Sequence, residues 1–367
     1  MERRGRHTGE PAAAAMHPDR WENGSEYQWL GFAAPEGAEP GSWSSGLLIF
    51  SGRDALRLLL AQGVEHRGWH RLWVPDFYCQ HVTTALLRPG LEVLPYPDHP
   101  LRPTPSLPNG RAGDAILVMN YFGLREAVHA PRRDGVDIVE DHSHDPWSPW
   151  AQTSSADFCI ASLRKTLPLS DGGALWSPRG HALPPAPRLS TQRRRAAATK
   201  LAAMILKAMY LNGHPVDKAE FRALALRGER SLAVPGISAM SDVARVVLRS
   251  FPVQSWRRTR AANHALLSSR VAKVGWARVL EPADGAGVPF AFVVVVDSAE
   301  RRERVRLRLI ESNVFPAVLW PLETTVMPVG HEARELSRRV LSIHCDGRYG
   351  AEDMHRVGDI FARVGDQ

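Results

Sequence analysis

The sequence predicts an α/β chain: a large domain on a mostly parallel sheet flanked by helices, then a smaller C-terminal α+β domain. Three observations carry this. The 367 residues suffice for one large domain and a smaller one. From Leu47 to Trp176 short apolar runs alternate with helically spaced segments, the pattern of strands covered on both faces by crossover helices. Beyond residue 250 helices and separated strands follow without that alternation.

The elements follow in order. "SGLLIFSGRDALRLLLAQG" reads as a strand, a Ser-Gly turn and a helix ending at Gly63. "RLWVPDF" is a strand, "CQHVTTALLRPG" a helix stopped by Pro89-Gly90, and "LEVLPYP" a strand. "DAILVMNYFG", "GVDIVEDHSHD", "SSADFCIASL" and "GGALWSP" supply further strands. The Pro- and Arg-rich stretch 177–195 connects to helical segments at 196–211, 240–251 and 255–274. "FAFVVVVDS", "VFPAVLWPL" and "RRVLSIHC" read as strands or extended chain, with helices over 299–313 and at the C-terminal end. The expected organisation is a disordered leader over 1–25, a large domain over 26–250 and a small one over 251–367.

Composition narrows the function. The net charge of +7 arises largely from arginine clusters at 192–195, 257–260 and 301–308, which read as solvated helix faces. No zinc-finger, RRM or KH signature accompanies them, so nucleic acid is not an expected partner. Lys200 and Lys207 interrupt the most apolar helical stretch, so no membrane span is expected. Cys79, Cys159 and Cys345 are scattered and odd in number, with no paired metal-ligand spacing. That usage suits a reducing compartment, and a cytoplasmic location is expected.

One constellation stands out. Lys165 lies between the apolar "FCIASL" and the turn Asp171-Gly172-Gly173, where partial desolvation would favour a nucleophilic amine. Alone, such a lysine is more often solvated. Asp141 closes the apolar run "VDIVED", at the carboxyl end of a parallel strand, where open α/β sheets bind ligands. Alone, it is more often a cap or turn residue. Together a lysine and a carboxylate from different strand ends, about two dozen residues apart, suit pyridoxal phosphate: an amine for a Schiff base and a carboxylate for the pyridine nitrogen. Ser51-Gly52 before a helix offers backbone N–H groups to a phosphate, and Arg53 a charged donor.

In this order, "SGRDAL", "VPDFYCQHVTTALLRPGLEVLPYPD", "AILVMNYFG", "VDIVEDHSHD" and "ADFCIASLRKTLPLSDGGALWS" resemble the DegT/DnrJ/EryC1/StrS family, clearest over 47–178. The resemblance implies fold type I, pyridoxal 5'-phosphate as cofactor and, for most members, sugar aminotransfer. It implies Lys165 as the Schiff-base lysine, Asp141 as partner of the pyridine nitrogen and His144 as a contact on the cofactor's oxygen side. Gly52, Arg53 and Asp54 match the phosphate-binding turn. Ser162 lies near a phosphate-binding serine, although its spacing to the lysine is short. Tyr78, with Phe77 as fallback, matches an aromatic that stacks on the ring. Asn120, Tyr121 and His142 are substrate-side candidates.

The resemblance further implies a homodimer, an amino donor such as glutamate and a keto acceptor such as a keto sugar nucleotide or natural-product intermediate. Alternatives on the same fold are a lyase, an aldolase-like or other non-transaminating enzyme, and a non-catalytic protein that kept the fold. Two departures are visible. Arg53 stands where the family carries Thr, and "PGISAMSD" (235–242) replaces the family's "GYNYRMS" segment, whose asparagine reaches the partner subunit's phosphate. Arg53 is the residue expected to supply the missing phosphate contact.

Overall fold

The computed structural model describes residues 16–31, 41 and 43–365. Its elements are β1 (Asn23–Gly24), β2 (Leu47–Ile49), α1 (Gly52–His66), β3 (Arg71–Pro75), α2 (Gln80–Leu86), β4 (Glu92–Tyr96), β5 (Asp114–Met119) and β6 (Val136–Asp141). Next come α3 (Pro149–Thr153), β7 (Phe158–Ala161), β8 (Gly173–Trp176), α4 (Thr191–Leu211), α5 (Lys218–Ala233), α6 (Asp242–Ser250) and α7 (Val253–Val271). The chain continues through β9 (Ala277–Val279), β10 (Phe292–Val296), α8 (Ala299–Glu311), β11 (Val314–Phe315), α9 (His331–Arg339), β12 (Val340–Ile343) and α10 (Ala351–Gly365).

Seven strands form the main sheet in the order β2-β8-β7-β6-β5-β3-β4. The run from β7 to β4 is parallel, and β8 runs antiparallel to both β7 and β2. All six residues of β5 are buried, as an unbroken apolar run in a sheet covered on both faces requires. A second sheet, β12-β10-β9, is antiparallel and packs with α7, α8 and α10. The mostly parallel sheet and the α+β C-terminal module are both as the sequence predicts.

Some expectations fail locally. Helix α1 runs past Gly63 to His66. Gly63 is there for packing: a Cβ on it would lie 2.0 Å from the indole of Trp69. Within the leader expected over 1–25, residues 16–25 are ordered. Asn23 and Gly24 pair with Val314 and Phe315 of β11, and the Trp21 indole N–H donates to Asp353 Oδ1 at 2.6 Å. Burying the Trp21 ring against the small sheet fixes this segment; residues 1–15 lie outside the described residues. Helices α5 and α9 were not expected. Helix α5 is dense in charge, but Asp217 caps it and Phe221, Ala225 and Leu232 give it a buried face. No helix among the described residues is long and apolar enough to cross a membrane.

Candidate active site

Register builds the site. Met119 of β5 pairs with Asp141 of β6, and Asp141 with Ile160 of β7, so the carboxyl ends of three parallel strands lie side by side. Asn120, Asp141 and Ser162 are therefore neighbours. The Asn120 N–H donates to Asp141 O at 3.0 Å, and the His142 N–H to Ile160 O at 2.9 Å. Asp141 then folds its own turn, with Oδ1 accepting the Ser143 N–H at 2.9 Å. Ser143 Oγ accepts the Ser162 N–H at 2.9 Å, joining the loop after β6 to the loop after β7.

Lys165 ends a single 3-10 turn, Leu163–Lys165, directly after β7. Asp171 anchors the return of this loop, its oxygens accepting the Ser241 N–H at 2.9 Å and the Ser241 O–H at 2.6 Å. Gly173 must be glycine, since a Cβ would lie 2.3 Å from the Ser51 carbonyl carbon. The Asp-Gly-Gly turn thus presses the Lys165 loop onto the start of α1. Lys165 Nζ sits 5.7 Å from the centroid of the Trp320 ring. Tyr27 Oη donates to Lys165 O at 3.2 Å, and Arg260 and Trp256 of α7 both donate to Thr166 O.

His144 is buried beside this lysine. Its Nδ1 accepts the Phe122 N–H at 2.9 Å, so in the neutral ring Nε2 carries the proton. Burial, aided by the Lys165 charge, holds its pKa well below 6.5. Its ring stacks on Phe122, Phe290 and Trp320 with centroids at 5.3, 4.6 and 5.6 Å. The next residue, Asp145, accepts from the Arg257 guanidinium of α7 and from the Val288 N–H at 2.7 Å, tying the His144 loop to the C-terminal module.

No protein-family model and no curated protein matches the chain. Solved structures do. DesV of S. venezuelae, in complex with a ketimine intermediate, is similar over 88% of this chain and 85% of its own, at 18% identity and a TM-score of 0.59. NtdA of Bacillus subtilis, with bound cofactor PMP, is similar over 88% of this chain and 73% of its own, at 14% identity and a TM-score of 0.58. A DegT DnrJ EryC1 StrS aminotransferase from Brucella abortus is similar over 88% and 86%, at 15% identity and a TM-score of 0.55. This chain has the type I aminotransferase fold.

On that fold the site residues read as follows. Ser51 caps α1 by accepting the Asp54 N–H at 3.1 Å, and Gly52 lies so close to the Ser162 turn that a Cβ would come within 2.9 Å of the Ser162 Cβ. Arg53 follows, with a buried Nε that has no hydrogen-bond partner, and Arg164 also buries an unpartnered Nε. Burial, together with the Arg57 and Arg164 charges, lowers the Arg53 pKa.

Three sequence expectations need correction. Asp54 is committed to protein partners. Its N–H serves Ser51, and its carboxylate accepts from Arg193 of α4 at 3.0 Å and from Arg57 at 3.1 Å. The Tyr121 hydroxyl is committed to backbone, donating to Phe77 O at 2.7 Å and Asp98 O at 3.2 Å. His142 lies behind the sheet. Strand alternation sends it with Glu140, whose Oε2 is 2.9 Å from its Nε2, and against Trp150 and Trp176. Tyr78 donates its hydroxyl to Asp141 Oδ2 at 2.5 Å. Asn120 stays at the strand end, with Nδ2 3.4 Å from Ser148 Oγ and Oδ1 buried without a partner. The fallback, Phe77, is fully buried with its ring against Tyr121 and Trp320.

Sequence reasoning missed Ser143, Arg164, Phe290 and Trp320. Trp320 lies in an irregular stretch between β11 and α9, where neither periodicity nor a motif marks it. A charged cleft of about 440 Å³ opens at the amino ends of β6 and β7, away from Lys165. Two of its carboxylates are already paired, Asp137 with Arg67 and Asp157 with Arg179 and His181. The chemistry-bearing residues lie at the opposite end of the sheet.

Proposed function

We propose that this chain is a pyridoxal-phosphate-dependent aminotransferase and a divergent member of the DegT/DnrJ/EryC1/StrS family. The observation that carries the reading is the placement of Asp141 and Lys165 at adjacent carboxyl strand ends, with neutral His144 beside the lysine. The residues fit the cofactor. The orphaned Nε of Arg53 lies at the start of α1, where donors for a phosphate are needed. Asp141 uses one position on each oxygen and keeps acceptor capacity for a protonated ring nitrogen. Lys165 forms no ion pair with a carboxylate among the described residues.

The bound cofactor would supply an aldehyde carbon for amine exchange and a protonated ring that draws electron density. The chain's residues do the rest. Gly52 and Arg53 would hold the phosphate. Asp141 would keep the ring nitrogen protonated. His144 would donate from Nε2 on the oxygen side. Lys165, once free, would take up the proton that leaves the donor's α-carbon and give it back, its amine acting first as base and then as acid. Trp320 and Phe290 would exclude water from that path.

The amino donor is proposed to be glutamate and the acceptor a keto compound, a keto sugar nucleotide or natural-product intermediate being the leading class. A homodimer is proposed, supported by exposed apolar side chains on α4 and α6, among them Ile205, Met209, Val243 and Val246. A cytoplasmic location is proposed from the free cysteines.

The test is an absorption spectrum of the protein loaded with pyridoxal phosphate, before and after L-glutamate. Loss of the visible band on adding the donor supports transamination. A band that no amino donor alters favours a non-transaminating enzyme.

A further inference from the structure

We propose that Tyr78 is a positioning residue for Asp141, acting through its hydroxyl. The proposal rests on the aminotransferase reading.

The geometry is specific. Tyr78 follows β3, two residues before α2, so it is held between two regular elements. Its hydroxyl reaches Asp141 Oδ2 at 2.5 Å, a short contact for a phenol donating to a carboxylate. Tyr78 is 1% exposed and Asp141 4%. Burial and the Asp141 charge push the phenol well above 10, so it remains a donor at any working pH. Its ring is tilted 55° to Trp320 with centroids 6.1 Å apart.

Asp141 makes no ion pair with a lysine, arginine or histidine among the described residues; its contacts there are the Tyr78 hydroxyl and the Ser143 N–H. A buried carboxylate without a cation stays charged only if donors satisfy it. Tyr78 supplies one of the two, and it also sets the carboxylate's rotation. In a type I site that charge is what holds the ring nitrogen protonated. Removing the hydroxyl should therefore weaken the hold on the nitrogen and leave contacts to the rest of the cofactor as they are.

The experiment compares wild type with Tyr78→Phe in the full chain, measuring equilibrium affinity for pyridoxal phosphate and for its 1-deaza analogue, whose ring nitrogen is a C–H. Melting temperature and circular dichroism confirm that the variant folds. Wild type is expected to prefer pyridoxal phosphate. Tyr78→Phe is expected to reduce that preference by ~10-fold, the scale of one hydrogen bond to a charged group, with affinity for the analogue unchanged. Equal losses for both ligands would mean that the tyrosine only packs, and an unchanged preference would mean that its hydroxyl does not act on Asp141; either result overturns the proposal. Failure of wild type to bind either ligand would instead overturn the aminotransferase reading, and the proposal with it.

Discussion

The backbone N–H of Phe122 donates to Nδ1 of His144 at 2.9 Å. This bond joins the loop after β5 to the loop after β6 and fixes which ring nitrogen bears the proton. It also explains why a histidine can sit buried beside Lys165: the ring is neutral, and its one acceptor is satisfied.

The first prediction is that His144 does not titrate in the native protein between pH 6 and 8. Its ring nitrogen chemical shifts, followed by NMR on labelled protein, are expected to stay those of the neutral Nε2–H tautomer. A protonation step near pH 6.5 would show the ring to be solvated.

The second concerns stability and pH. Burial is the main cause that lowers the pKa of His144 and of His264 below 6.5. Below the unfolded-state value the unfolded chain takes up protons that the native state refuses. Stability is therefore full above about pH 7 and falls on acidification, by up to ~1.4 kcal/mol per pH unit for each histidine. Urea unfolding at pH 7.5 and 5.5 should show the midpoint dropping at the lower pH. Carboxylates held below their usual range, Asp137 among them, act as the pH falls through the ordinary carboxylate value, whereas Asp54, Asp98 and Asp171, raised by burial, partly offset the histidine effect.

The third concerns Arg53. Replacing it with Ala should weaken pyridoxal phosphate binding severalfold or more and leave binding of pyridoxal, which lacks the phosphate, unchanged. Parallel titrations of the two ligands measure this. Unchanged retention of pyridoxal phosphate would remove Arg53 from the phosphate site.

The fourth concerns Asp54 and Arg193, a pair 3.0 Å apart with side chains 0% and 3% exposed. Arg193→Met leaves the Asp54 carboxylate buried beside Arg57 alone, and should destabilise the fold by about 3–5 kcal/mol. Equilibrium unfolding in urea reads this directly, and a loss under 1 kcal/mol would show that Arg57 and water suffice.

Much of this was legible in the sequence because it is local. Unbroken apolar runs such as "DAILVM" mark strands buried on both faces, and Ser51-Gly52 marks a helix start. Asp141 and Lys165 stand out because a carboxylate and an amine close strand and turn at neighbouring sheet positions. What was not legible depends on facing. One residue separates Asp141, the last of β6, which faces the site, from His142 just beyond it, which faces Trp150 and Trp176. Strand alternation could have found that difference once Asp141 was placed. The hydroxyl directions of Tyr78 and Tyr121 had no such signal, since each is set by a partner distant in sequence. Trp320 and Phe290 reach His144 from the C-terminal module, by tertiary packing alone.

The central claim is that Lys165 is the amine that binds the cofactor. It is tested most directly by incubating the protein with pyridoxal phosphate, reducing with borohydride and mapping the modified residue by mass spectrometry. The account predicts one pyridoxyl group, on the peptide containing Lys165, and none at that position in Lys165→Ala. Modification at another lysine, or none at stoichiometric cofactor, would contradict it.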